Sequence, residues 1–298
     1  MESPVLAFDV FKMNMQEDNY FPVKNDSHSL RMNDDAELYN KFNDITRRDA
    51  IILLNEYSSK FKWRNSSPRV IDVGSADGSV TKILSDYLPK DYKMLVGSDI
   101  NEKSVKFANN KYGDVRTTFV PLNIEGDVPN NLKNGFDNFF SFYTFQWARD
   151  QEKAFTNVYN ILSNNGECFV MYLGYSHIYS LFYALSKTPK WASLLQNFDA
   201  FASPYWNYQD PERNVSEMLQ RIGFHDINVK CKQMVYDYKS VEALKAIVTA
   251  INPFHIPTHM WPEFLDDYMK VVETMKLIDE ERGTVRINYN LLVVHCFK

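Results

Sequence analysis

The stretch Val70-Ile71-Asp72-Val73-Gly74-Ser75-Ala76-Asp77-Gly78-Ser79 constrains this chain more than any other. A hydrophobic run leads into a turn carrying two glycines, and a helix-forming segment follows. Gly74 permits a tight backbone reversal, and Gly78 leaves room for a ligand or for backbone where a side chain would obstruct. A helix starting there directs its free N–H groups at whatever occupies the turn. Alone, a Gly-x-x-x-Gly turn says little, because strands often end in one.

The next β-rich run, Leu95-Val96-Gly97-Ser98-Asp99, ends on an acidic residue. Asp99 follows the glycine turn by about 20 residues, the spacing at which a doubly wound fold offers a carboxylate to ribose hydroxyls. An isolated Asp at a strand end is usually a solvated turn or a helix cap. At the end of the strand that follows the glycine turn, it points to a nucleoside. A dinucleotide requires a third glycine for its pyrophosphate, and this turn has none. Asp77 would repel phosphate, and no Gly-Lys-Ser/Thr follows. The pattern suits S-adenosylmethionine, which carries an ammonium and a sulfonium but no phosphate. Asp72, Gly74, Ser75, Gly78, Asp99 and Ile100 are candidate cofactor residues. Asn123 and Ile124 after the third strand would hold adenine, and Ser141 at the end of the fourth would border the cofactor. No metal is expected: His255 and His259 are separated by Pro257 and lack a third ligand nearby.

Around these motifs, β-rich runs alternate with helical ones. Strands are expected over Arg69–Gly74, Met94–Asp99, Thr117–Leu122, Asp137–Phe142, Cys168–Leu173, Ile227–Tyr236 and Asn290–Phe297. The intervening helices lie near Ser79–Tyr87, Glu102–Lys111 and Asp150–Leu162, preceded by a helical stripe from Asp34 to Tyr57. This predicts an α/β, Rossmann-like sheet of seven strands, mostly parallel. Glu280–Arg286 reads as a short connection to a last strand inserted antiparallel. Residues 1–31 read as a loosely ordered extension, and 32–298 as one methyltransferase domain. Helical insertions are expected at about 174–223 and 240–282, forming a cap over the substrate site. The first is dense in aromatics, from Tyr175 to Tyr208. An aromatic-rich core and a pocket for a large apolar ligand both account for them.

Charge and cysteine content narrow the function classes. A net charge of −5 provides no basic field for nucleic acid. No apolar run approaches the ~20 residues needed to cross a bilayer, so membrane insertion is not expected. Residues 1–20 lack the apolar core of a signal peptide. Cys168, Cys231 and Cys296 are widely spaced, as expected of reduced thiols in a cytoplasmic protein. Oligomeric state has no sequence signal, and a homodimer is compatible with the chain.

From about Met32 onward the chain resembles insect juvenile hormone acid methyltransferases. The likeness rests on Leu38-Tyr39, Arg47-Arg48-Asp49-Ala50, Val70–Thr81, Val96–Ile100 and Ile124-Glu125-Gly126-Asp127. It rests further on Ser141-Phe142-Tyr143-Thr144, Trp147 and Ala250-Ile251-Asn252-Pro253-Phe254. The last of these and the Ser-Phe-Tyr…Trp run are the most particular. The resemblance implies methyl transfer to the carboxylate of a sesquiterpenoid acid, farnesoic or juvenile hormone acid, with Trp147 at that carboxylate. Tyr39, Tyr143 and Tyr175 join Trp147 as candidate substrate residues. The chain departs from the family at Thr46, where relatives carry a Gln implicated in catalysis, and at Gln146, where they carry His. Gln146, or a water, is expected to replace the hydrogen bond that Thr46 is too short to make, although surface or packing roles for both residues are equally open. Two other readings stay in view: methylation of a different small acceptor, and binding without turnover.

Overall fold

The computed structural model describes residues 40–41, 43–63 and 66–298. The expected extension over 1–31, and Tyr39, lie outside the described residues.

Helix α1 (Asp44–Tyr57) precedes β1 (Arg69–Val73), α2 (Ser79–Ser85), β2 (Met94–Asp99), α3 (Glu102–Tyr112), β3 (Thr117–Pro121) and β4 (Phe136–Phe142). A 3-10 turn over Phe145–Trp147 leads to α4 (Gln151–Ile161) and the long β5 (Leu162–Ser176). Then come α5 (His177–Ser186), the single-turn α6 (Phe198–Phe201), α7 (Pro211–Ile222) and β6 (His225–Tyr238). The chain closes with α8 (Val241–Ile251), α9 (Trp261–Thr274), β7 (Ile278–Asp279) and β8 (Thr284–Phe297). Local chemistry sets several boundaries. Asn101, Asp150, Ser176, Asp210 and Ser240 each cap a helix by accepting from backbone N–H groups of its first turn. Pro211 opens α7 and Gly223, at φ 114°, closes it.

The sheet runs in the order β3-β2-β1-β4-β5-β8-β6, with β7 paired to β8. Only β8 runs antiparallel to its main neighbours, β5 and β6. The expected α/β sheet is therefore present, with a two-residue eighth strand too short for any periodicity to announce. Strand boundaries need correction: β5 begins at Leu162, six residues before the expected Cys168, and β8 begins at Thr284, inside the segment read as a connection. Its first half alternates buried and exposed residues, so its apolar content is diluted where only one face meets the core.

Both faces of the sheet are covered. Ile71, Val73, Phe139, Val170 and Val294 pack towards α4 and α7. Val70, Leu95, Phe140, Phe169, Met171 and Val293 face α1, α2, α5, α8 and α9. The aromatic stretch divides: α7 packs on β6 as a crossover helix, whereas α5 and α6 join α8 and α9 in a helical layer. Phe182 is its hub, with ring centroids 4.9 Å from Phe201, 5.5 Å from Phe254 and 5.5 Å from Tyr268.

Candidate active site

The glycine turn is built on the carboxyl end of β1 and folded over the end of β2. Gly74 N and Ser75 N both donate to Ser98 O, at 2.7 and 2.8 Å. Asp99 Oδ2 accepts from Ala76 N at 2.9 Å and Oδ1 from Asn101 N at 2.8 Å. Each oxygen keeps a lone pair for a further donor such as a hydroxyl. Burial raises the Asp99 carboxyl above its ordinary range against these N–H groups. The neighbouring Ile100 is 50% exposed, an apolar side chain beside the carboxylate.

The two glycines serve packing. A methyl on Gly74 would lie 1.9 Å from Thr144 Oγ1, so the loop after β4 fills the space that the missing side chain leaves. At Gly78 the obstruction would come from Ala108, Phe119 and Tyr112 at 2.9–3.0 Å. Gly78 thus gives room to α3 and β3, where the sequence suggested a ligand or backbone. Both take positive φ, 80° and 81°.

Below the turn, Asp72 is fully buried. Its Oδ2 accepts from the Thr81 hydroxyl at 2.5 Å, and among the described residues neither its Oδ1 nor Ser75 Oγ has a hydrogen-bond partner. Burial lifts the Asp72 carboxyl to about 7; the Thr81 hydroxyl opposes this and the Asp99 charge adds to it. Asp72 and Ser75 line a small cavity with Asn43, Thr46, Gly74, Ala76, Asp77, Val80 and Phe142. Buried orphan acceptors cost free energy until a donor reaches them, so this cavity fits a ligand that brings an ammonium. Asp77 is already committed: it accepts from Ser79 N and Oγ at the start of α2 and from the Asn40 amide.

The remaining candidates fall in different places. The Ser141 hydroxyl donates to Val73 O at 2.7 Å, stapling β4 to β1 with its side chain fully buried. Asn123 is exposed and accepts from Glu125 N, and Ile124 is buried beside it. Trp147 ends the 3-10 turn. Its ring lies 5.9 Å from Phe201 of the helical layer, and among the described residues its indole N–H has no hydrogen-bond partner. The Tyr143 hydroxyl donates to Asp49 at 2.6 Å and is held well above its usual pKa by burial and by that carboxylate. Thr46 is buried beside the glycine turn.

Gln146 is committed to backbone partners. Its amide nitrogen donates to Tyr143 O and its carbonyl accepts from Leu173 N, so it braces the loop backbone. Tyr175 also stands apart, in a second cavity with Tyr205, Tyr208, Glu212 and Cys231, on the α7 side of the sheet. Among the described residues, no group of three or more His, Cys, Asp or Glu could hold a metal ion. Sequence reasoning assigned no role to Thr144, Asp49 or Tyr289, although Asp49 and Thr144 stand in runs that carry the resemblance, because their partners are far away in the chain.

Over 269 aligned residues the chain is 46% identical to the juvenile hormone acid O-methyltransferase of Bombyx mori, covering 88% of this chain and 97% of that one. The chain belongs to that family. The juvenile hormone acid O-methyltransferase of Drosophila melanogaster is 32% identical over 254 residues, covering 83% of this chain and 86% of the relative. A family described as a methyltransferase domain matches residues 71–170. Among solved structures, the YcgJ protein of a Bacillus species superposes with a TM-score of 0.55 at 13% identity, covering 84% of this chain and 98% of that one. A phosphoethanolamine N-methyltransferase of Haemonchus contortus, bound to S-adenosylhomocysteine, superposes at 0.52 and 15% identity, covering 87% and 56%. Those two likenesses concern the fold. As a juvenile hormone acid O-methyltransferase family member, the chain is an S-adenosylmethionine-dependent methyltransferase, and the resemblance read from its sequence holds.

Proposed function

We propose that this chain esterifies a long apolar carboxylic acid, farnesoic acid or juvenile hormone acid, with S-adenosylmethionine as methyl donor. One observation carries the reading: Trp147 stands between the glycine turn and the aromatic helical layer. Its backbone N–H donates to Thr144 O, Thr144 fills Gly74, and its ring packs on Phe201. The names of the two insect relatives support the same acceptor.

Asp72, Thr46 and Ser75 would hold the amino-acid part of the cofactor, and Asp99, Ile100, Asn123 and Ile124 its adenosine. When bound, the cofactor supplies an electrophilic methyl on a sulfonium. A carboxylate acceptor, with a pKa of about 4–5, is ionised at neutral pH and requires no general base. The chain has only to align acceptor and methyl and exclude water, which supplies roughly 7–11 kcal/mol of a barrier. Trp147 suits this task. A neutral N–H orients one carboxylate oxygen without the strong pull on electrons that Arg or Lys would exert. Phe201, in ring contact with Trp147, would present apolar surface to a hydrocarbon chain, with Phe182 and Phe254 packed behind it.

The test is incubation with labelled S-adenosylmethionine and farnesoic or juvenile hormone acid, followed by extraction of the ester. Labelled ester supports the reading. Binding of cofactor and acid without ester would favour a binding protein, a reading motivated by Thr46.

A further inference from the structure

Arg149 follows the turn that carries Trp147, and its guanidinium is spent wholly on backbone carbonyls. Nε donates to Trp147 O at 3.3 Å and Nη2 to Gln146 O. Nη1 donates to Asp199 O and Ala202 O, both at 2.8 Å. No described carboxylate forms an ion pair with it. Two of these carbonyls belong to the Phe145–Trp147 turn and two to α6 and its C-cap. The backbone here makes a third link: Arg149 N and the following Asp150 N both donate to Glu125 Oε1, at 2.8 and 2.7 Å. Glu125 directly follows Asn123 and Ile124.

We propose that Arg149 is a positioning residue that locks α6 of the helical layer to the Trp147 turn, so that the seat of the acceptor carboxylate and the apolar surface move as one unit. A guanidinium is the side chain for this. Its rigid planar fork holds donors aimed at two separate carbonyl pairs, which a lysine ammonium cannot span. Trp147 and Phe201, in ring contact, are the residues whose relative placement the fork sets. The inference rests on the esterification reading for its kinetic consequence, but its structural core can be read without turnover.

The test compares wild-type protein with Arg149→Lys and Phe201→Leu, the second loosening the same junction from the other side should the first fail to fold. Hydrogen exchange is followed at the amides of 145–148 and of 198–202. Faster exchange in both segments together, in either variant, supports the lock; an effect confined to one of the two segments overturns it. With the acid as acceptor, Arg149→Lys should lose about 10- to 100-fold in kcat, the scale of a small misplacement of a reacting group, with at most a few-fold rise in KM. Affinity for S-adenosylhomocysteine should stay at the wild-type value. An unchanged kcat in a folded Arg149→Lys protein overturns the inference while leaving the esterification reading intact. Absence of ester from the wild-type protein sinks that reading instead, and the exchange comparison still decides the lock.

Discussion

The Tyr143 hydroxyl donates to Asp49 Oδ2 at 2.6 Å, joining α1 to the loop after β4 across 94 positions of sequence. The same oxygen accepts from the Tyr289 hydroxyl of β8 at 2.5 Å, and Arg48 bonds both Asp49 Oδ1 and Tyr289. Asp49 is fully buried, and among the described residues these three side chains are its hydrogen-bond partners. The network also holds Tyr143 at φ 57°, a left-handed conformation that is costly outside glycine. Tyr143, expected to touch substrate, thus gives its hydroxyl to the scaffold.

Asp49→Ala should lower stability by about 2–3 kcal/mol, because two buried hydroxyls and a cation lose a charged partner. Tyr143→Phe leaves Asp49 with Tyr289 and Arg48, and should cost about 1–2 kcal/mol. Urea unfolding of the two variants gives the order; equal losses would contradict it.

Asp72 makes the protein pH-sensitive. Its carboxyl titrates near 7 in the folded chain and near 4 when unfolded, so the folded state binds more protons between those limits. This contribution to stability is therefore full below about pH 4 and declines as pH rises towards 7. Affinity for a ligand that brings an ammonium to Asp72 should move the other way, rising through about pH 7 as the carboxylate forms. Titration with S-adenosylhomocysteine from about pH 5 to 8 checks the second trend, and Asp72→Asn should abolish both. A flat binding profile in the wild-type protein would rule out this assignment.

Gly74→Ala meets two obstacles, the Thr144 hydroxyl and the positive φ. The pair Gly74→Ala/Thr144→Gly removes only the first. It should recover part of the lost stability and retain the backbone penalty, about 1–2 kcal/mol for an L residue in that region. A double variant no more stable than the single one would show that the clash is relieved in some other way.

Trp147→Phe keeps a ring against Phe201 and deletes the N–H. If that donor aligns the acceptor, kcat should fall about 100-fold while the melting temperature changes little. Comparable rates in the two proteins would assign Trp147 to packing.

At the opposite end of the sheet, Glu167 is bonded by Lys62 N, the Asn138 amide and His295, the last at 2.7 Å. Glu167→Gln should cost about 1–3 kcal/mol and leave kcat unaltered below the melting transition. A large kcat loss there would mean that the two ends of the sheet are coupled.

The alternation of β-rich runs with helices, the turn at Gly74 and the carboxylate of Asp99 all follow from short windows of sequence. They depend on backbone preference and on hydrophobic period, which neighbouring residues express together. Family membership was equally legible, because runs such as Ser141–Thr144 and Ala250–Phe254 are particular. Tertiary structure alone decided what each of those residues does. It set Gly78 against α3, Ser141 against Val73, Gln146 against its own loop and Tyr175 on the other face of the sheet. It also brought Asp49 to Tyr143 and Arg149 to α6. These are pairings between chemically ordinary groups whose partners lie far off in the chain or on the backbone. Burial, which makes each such bond count, exists only after the chain has closed around it.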